Sequence, residues 1–263
     1  MRLQNFLIEG NDGRAKIIDE ITFTKILNTK CTDSFRAFKD FTRFYRGTKT
    51  AFAPTLHIDP KVFTRSSKDN QNYYTLIMSH DTTWKRFPPR NKSIIATTNS
   101  GTAEAYGKPY IVFPFNGSRI GIAPSNDIWS SWKDTLSGSN LIPLLDSLEQ
   151  LFLGVNMADE ANESIKGLKD ACSRVNPKII TGQKASRMKQ GPFYLLANSI
   201  PFDKKEGLYK WLTKVFSPEK FTTIKAGDSF RGNNNEIWTD GECLLCTFDA
   251  LFEIKSKTDI IVK

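Results

Sequence analysis

Histidine is nearly absent from the 263 residues: His57 and His80 are the only two. Neither stands at ligand spacing from a cysteine or a second histidine, so a metal centre is not expected and a Ser–His–Asp hydrolase cannot be assembled. Cysteine is scarce too. Of the four, only Cys243 and Cys246 lie close together. That pair encloses Leu244-Leu245 and no second pair follows, so buried strand thiols are expected in place of a zinc or redox site. No apolar run reaches about 18 residues, which leaves no candidate for a membrane-spanning helix. No G-x-G-x-x-G follows a strand pattern and no P-loop occurs, so Rossmann-type binding and P-loop nucleotide chemistry have no motif. Repeats and low-complexity tracts are missing as well. The stretch from Met1 to Glu9 has too short an apolar run for a signal peptide, and a cytoplasmic setting is the expectation.

Acid is outnumbered by base, 28 Asp and Glu against 37 Lys and Arg, giving a net charge of +9 and a pI near 9.3. Such a surface draws anions: nucleic acid, acidic proteins or a phosphorylated cofactor. What is present suits a packed core, with 39% hydrophobic residues and 19 phenylalanines. The length fits one or two domains.

Along the chain, Ile17, Ile18, Ile21, Phe23 and Leu27, then Phe35, Phe38 and Phe41, recur at three-to-four spacing and predict two amphipathic helices in a helical part spanning 1–43. Phe44-Tyr45-Arg46-Gly47 reads as a short strand closing on a turn. A helix is expected near Tyr73 to Met78, a strand at Ser93 to Thr98, and a helical turn from Thr102 to Tyr106 that Gly107 stops. Tyr110 to Phe115 is the most apolar strand candidate. Asn116-Gly117 after it predicts a hairpin with a strand from Arg119 to Ala123. Leucines 144, 145, 148, 151 and 153 form a helical stripe, and Gly207 to Phe216 another amphipathic helix stopped by Ser217-Pro218. The segment 159–190 is polar and basic. Near the end, Glu236 to Thr239, Asp240-Gly241 and Cys243 to Phe248 read as strand, tight turn and returning strand. Strands without regular helix alternation predict an α+β fold: mixed sheets with N-terminal helices, one domain over 1–263 carrying a basic helical insertion at about 140–220.

Three strand-linked elements follow one another: Tyr45-Arg46-Gly47, Thr97-Thr98-Asn99 and Asn234-Asn235-Glu236. In this order they resemble the Arg, Ser-Thr-Ser and Glu-x-Glu elements of mono-ADP-ribosyltransferases of the Arg–Ser/Thr–Glu type. The segments Phe63-Thr64-Arg65-Ser66, Asn72-Tyr73-Tyr74-Thr75, Ser93-Ile94-Ile95, Ala105-Tyr106-Gly107, Val112 to Gly117 and Asp127-Ile128-Trp129 are similar to phage-encoded proteins with that fold. The resemblance spans residues 44–132 and 232–248.

It implies an enzyme that moves ADP-ribose from NAD to a host macromolecule, protein or nucleic acid. The setting implied is the host cell cytoplasm, with packaging in the virion as the alternative. Glu236 would stabilise the oxocarbenium-like ribose left when nicotinamide departs, since a fixed carboxylate opposes that charge in a low-dielectric pocket. Arg46 would clamp the pyrophosphate with its planar fork, and Arg65 would offer a second phosphate contact. Gly47 would admit the nicotinamide amide, Thr97 would orient Glu236, and Thr98 would brace the strand beneath the cofactor.

Two departures stand out. Asn234 occupies the position where many relatives hold Glu or Gln to choose the acceptor, and an amide cannot serve as a carboxylate base. Thr-Thr-Asn replaces Ser-Thr-Ser. An alternative register makes Glu242 the catalytic residue, with Asp240 two before it. Two further readings stand beside the enzyme: a virion-associated structural protein that keeps the fold without the activity, and a basic nucleic-acid-binding protein, to which the mixture at Trp84-Lys85-Arg86-Phe87 would contribute stacking.

Overall fold

Strand-forming residues collect in short β-branched and aromatic runs separated by turns, and among the described residues they assemble into one nine-stranded sheet. The structure, a computed structural model, describes residues 15–49, 53–66, 71–132, 136, 141–175 and 207–257. The strands are β1 (Ala15–Ile17), β2 (Tyr45–Thr48), β3 (Thr55–Ile58), β4 (Ile94–Thr97), β5 (Lys108–Pro114), β6 (Arg119–Ile122), β7 (Thr222–Lys225), β8 (Glu236–Thr239) and β9 (Cys243–Cys246). Their order is β1-β3-β9-β5-β2-β4-β8-β6-β7, antiparallel throughout. The register of β2 on β4 is a single residue pair, Tyr45 with Thr97, so the sheet consists of two halves meeting at one point. With the helices α1 (Glu20–Lys30), α2 (Thr32–Lys39), α3 (Tyr73–His80), α4 (Ser100–Glu104), α5 (Leu141–Leu153), α6 (Ala158–Glu163), α7 (Ile165–Arg174), α8 (Leu208–Val215) and α9 (Phe248–Lys257), the chain is α+β.

The chain divides into two compact units: 1–65 with 86–127 and 221–263, and 66–85 with 128–220. The second contains the expected insertion at 140–220, extended at its start and joined by 66–85.

The first unit holds the whole sheet, whose two faces bury separate clusters. Residue alternation in β5 shows how: Tyr110 and Val112 pack with Leu56, Ile58, Ile94 and Leu245, while Ile111 and Phe113 pack with Phe23, Leu27 and Phe35 of α1 and α2 and with Ile254 of α9. The N-terminal helix begins later than the apolar spacing predicts. Ile17 ends β1 and is 74% exposed, Ile21 is 83% exposed, and Asp19 starts α1 by accepting from the Thr22 N–H at 2.7 Å.

Two predicted hairpins do not form. β6 pairs with β8 and β7, not with β5, whose edges are both taken, by β2 and β9. Asn116 turns the chain toward the α1–α2 junction instead: its N–H donates to the Lys30 carbonyl (2.6 Å), its amide nitrogen to Thr32 Oγ1 (2.8 Å), and its amide oxygen accepts from Asp33 N–H (3.0 Å). β8 and β9 likewise lie in different halves, β8 between β4 and β6 and β9 between β3 and β5. Asp240-Gly241 is a crossover between them, held where Arg119 Nη2 meets Asp240 Oδ2 at 2.7 Å. Turn residues mark where a chain reverses, but the free edges decide with whom each strand pairs.

The second unit is helical in its described residues. The α5 stripe buries Leu144, Leu145, Leu148 and Leu151 as its spacing predicts, but Leu153, the last leucine of the expected stripe, ends the helix 52% exposed. Tyr74 of α3 meets Trp129 and Trp132 edge-on, Trp132 meets Phe216, and Trp84 Nε1 donates to the Phe216 carbonyl at 2.8 Å. Trp84 therefore belongs to the core. Of the basic segment 159–190, the part to Arg174 forms α6 and α7, and 176–190 lies outside the described residues. All four cysteines are free and buried, Cys243 and Cys246 within β9. Among the described residues no helix is long and apolar enough to cross a membrane.

Candidate active site

Register alone brings two of the predicted residues together. β4 and β8 run antiparallel with Thr97 directly opposite Glu236, and the same Thr97 faces Tyr45 across the point where the half-sheets meet. Side chains opposite one another share a face, so Thr97 and Glu236 form one row. The backbone around Glu236 is fixed from both sides. Its N–H donates to the Ser125 carbonyl (2.7 Å) and its carbonyl accepts from Ala123 N–H (2.9 Å). The ladder continues one step further, where Thr98 N–H donates to the Asn235 carbonyl (3.0 Å) and Asn235 N–H to Thr98 Oγ1 (2.9 Å).

Glu236 and Thr97 line a shallow, solvent-open cleft together with Ile95, Thr102, Tyr106 and Asp127, and its enclosed part is about 20 Å³. That is room for about one water molecule. Tyr106 is almost fully buried, and its phenol is pushed up to about 12 by burial first, then by the negative charges of Asp127 and Glu236. A neutral phenol thus sits among carboxylates at ordinary pH.

The remaining predicted residues are placed differently. Arg46, buried on β2, is not among the cleft residues; its Nη1 donates to the Ile95 carbonyl at 2.7 Å and so supports the cleft wall from behind. Gly47 is overlaid by α4: a Cβ there would overlap the Ala103 carbonyl oxygen and come to 2.9 Å from Tyr106 Cβ. Arg65 is buried, with its N–H donating to the Asn91 carbonyl (2.7 Å). Asn234 is exposed just ahead of β8. Glu242 is remote from this row: it pairs with His57 Nε2 at 2.8 Å, and His57 stacks on Phe115. Thr97 Oγ1 accepts from Asn99 N–H (3.1 Å), a turn contact, and no hydrogen bond joins it to Glu236 among the described residues.

The contact that does hold the Glu236 carboxylate comes from Arg90, which the sequence did not single out. Arg90 Nη2 lies 2.6 Å from Glu236 Oε1, the arginine side chain is 0% exposed, and its guanidinium sits 5.7 Å from the Trp238 ring centroid. Sequence gives no spacing rule that ties a loop arginine after Pro88-Pro89 to a glutamate in a distant strand. Tyr106 and Asp127 were more accessible, since both fall in segments that carry the resemblance.

Among the described residues no group of three His, Cys, Asp or Glu is placed to hold a metal ion. Comparison with protein-family models, with curated proteins and with solved structures returned no match.

Proposed function

We propose that the chain is a mono-ADP-ribosyltransferase, taking NAD as the ADP-ribose donor and a host protein or nucleic acid as acceptor, with Glu236 at the reacting ribose. The observation that carries this reading is the Thr97–Glu236 pair: two elements that the resemblance assigns to one site are cross-strand neighbours on one cleft. In the reaction the bond from ribose C1′ to nicotinamide breaks, its electron pair leaves with nicotinamide, and the oxocarbenium-like ribose is captured by an acceptor nucleophile that loses a proton. A buried, immobilised carboxylate lowers the energy of that cation because its dipoles need no reorganisation. Tyr106 and Asp127, on the same cleft, face whatever group enters beside the ribose. A basic surface favours the anionic donor and, where the acceptor is nucleic acid, the acceptor too. The host cytoplasm supplies NAD, and delivery in a phage virion or synthesis after infection fits the resemblance equally.

Arg46 favours a second reading. The arginine that the resemblance assigns to the pyrophosphate is buried and bonded to the Ile95 carbonyl, as suits a protein that keeps the fold as a structural or nucleic-acid-binding module. Incubation with labelled NAD and host lysate separates the two. Labelled product that disappears in Glu236→Ala supports the enzyme; no label, no nicotinamide release and no NAD binding leave the structural reading.

A further inference from the structure

We infer that Arg90 is the positioning residue of the site, fixing the carboxylate of Glu236 for the reaction; this rests on the proposed activity. Three observations converge. First, Arg90 is fully buried, its Nη2 stands 2.6 Å from Glu236 Oε1, and the glutamate side chain is 9% exposed. In such a setting the attraction between the two charges is little screened, although the contact lacks hydrogen-bond angles. Second, the guanidinium is itself immobilised. It lies over Trp238, whose Nε1 donates to the Pro88 carbonyl at 2.9 Å, and the surrounding turn is closed by Lys92 N–H (3.0 Å) and Ser93 Oγ (2.8 Å), both donating to the Pro89 carbonyl. Trp238 lies two residues beyond Glu236 in β8, on the same face, so one strand carries both the carboxylate and the ring that seats its partner. Third, no hydrogen bond joins Thr97 Oγ1 to Glu236 among the described residues, so the carboxylate contact in the structure is that of Arg90.

The pairing has a chemical consequence. One carboxylate oxygen is drawn toward the protein side while the side chain borders the cleft, so the Arg90 charge opposes rotation of the carboxylate when a ribose hydroxyl or the cationic C1′ arrives. Misplacement of a catalytic group by an ångström costs about 100-fold in rate. Removing Arg90 would therefore act on the chemical step more than on donor binding.

The test uses the full chain as wild type, Arg90→Lys, Arg90→Met, Glu236→Gln and the Arg90→Met/Glu236→Gln double variant, each followed by nicotinamide release from NAD and by thermal melting. Arg90→Met is expected to lower kcat about 10- to 100-fold with KM nearly unchanged, and Arg90→Lys to recover part of it. The double variant is expected to melt above Arg90→Met, because it removes the stranded carboxylate as well. Unchanged kcat in a folded Arg90→Lys or Arg90→Met protein overturns the inference, as do melting shifts that simply add. A wild type that neither binds nor turns over NAD overturns the proposed activity, and with it the positioning role, while the melting result still reports whether the two residues are coupled. The two failures are therefore distinct.

Discussion

Thr98 and Asn235 clasp one another through two hydrogen bonds, Thr98 N–H to the Asn235 carbonyl at 3.0 Å and Asn235 N–H to Thr98 Oγ1 at 2.9 Å. Asn235 also donates from its side chain to the Ala123 carbonyl at 2.8 Å. The clasp sits immediately before Glu236 and sets where β8 begins. Thr98→Val keeps the shape but leaves the Asn235 N–H without its acceptor, a loss of about 1–3 kcal/mol. Chemical denaturation should show that loss, and Thr98→Ser, which restores the hydroxyl, should remain near wild type. Equal stability of the Val and Ser proteins would remove the clasp from the account of the site.

The two candidate glutamates separate cleanly. Glu236 borders the cleft, whereas Glu242 pairs with His57 and its backbone carbonyl accepts from Phe115 N–H at 2.8 Å. Glu236→Gln is expected to reduce nicotinamide release by about 100-fold or more, the scale for removing one preorganised electrostatic group. Glu242→Gln should change it by less than about threefold, since exposed and half-exposed pairs contribute little. A strong loss in Glu242→Gln with an active Glu236→Gln would reverse the register and move the site to the other half of the sheet.

Local chemistry was legible in the sequence and partnership was not. The apolar strand at Tyr110 to Phe115, the leucine face of α5, the Gly107 stop after α4 and the burial of Cys243 and Cys246 all follow from side-chain period and composition. Which strand lies beside which does not. Asn116-Gly117 and Asp240-Gly241 carry hairpin signals, yet each hands the chain to a different half of the sheet, because β5 and β8 already have neighbours on both edges. The same limit applies to the site. Thr97 and Glu236 could be named from their motifs, but the arginine that holds the carboxylate comes from a proline-led loop whose position depends on Trp238 packing beneath it.

Gly47 tests how the helix over β2 is accommodated. Its hydrogen leaves room for the Ala103 carbonyl and for Tyr106, which a methyl group would displace. Because the obstacle is backbone, Gly47→Ala should force α4 outward and cost about 1–3 kcal/mol. Denaturant midpoints measure this directly. The cleft wall formed by Thr102 and Tyr106 moves with α4, so donor affinity should weaken in the same variant. A Gly47→Ala protein as stable as wild type, with unaltered NAD affinity, would contradict the close approach.

Alkaline pH probes the buried neutral acids. Burial, aided by Asp127 and Glu236, pushes Tyr106 to about 12, and burial pushes Cys31 and Cys172 to about 12. Their unfolded values are near 10.0 for the phenol and 9.0 for the thiols. Folded values above unfolded ones mean that the native state binds more protons in between, so stability falls as pH rises. The contribution is complete below pH 9.0 and is lost progressively toward about 12. Melting temperature should therefore hold steady up to that lower bound and decline above it, with tyrosinate absorbance rising together with unfolding. Tyr106→Phe removes one titrating hydroxyl and should flatten the part of the decline between 10.0 and about 12. A melting temperature that stays level across the whole range would show that these groups ionise within the folded protein, and Tyr106 would then be available as a base in the cleft.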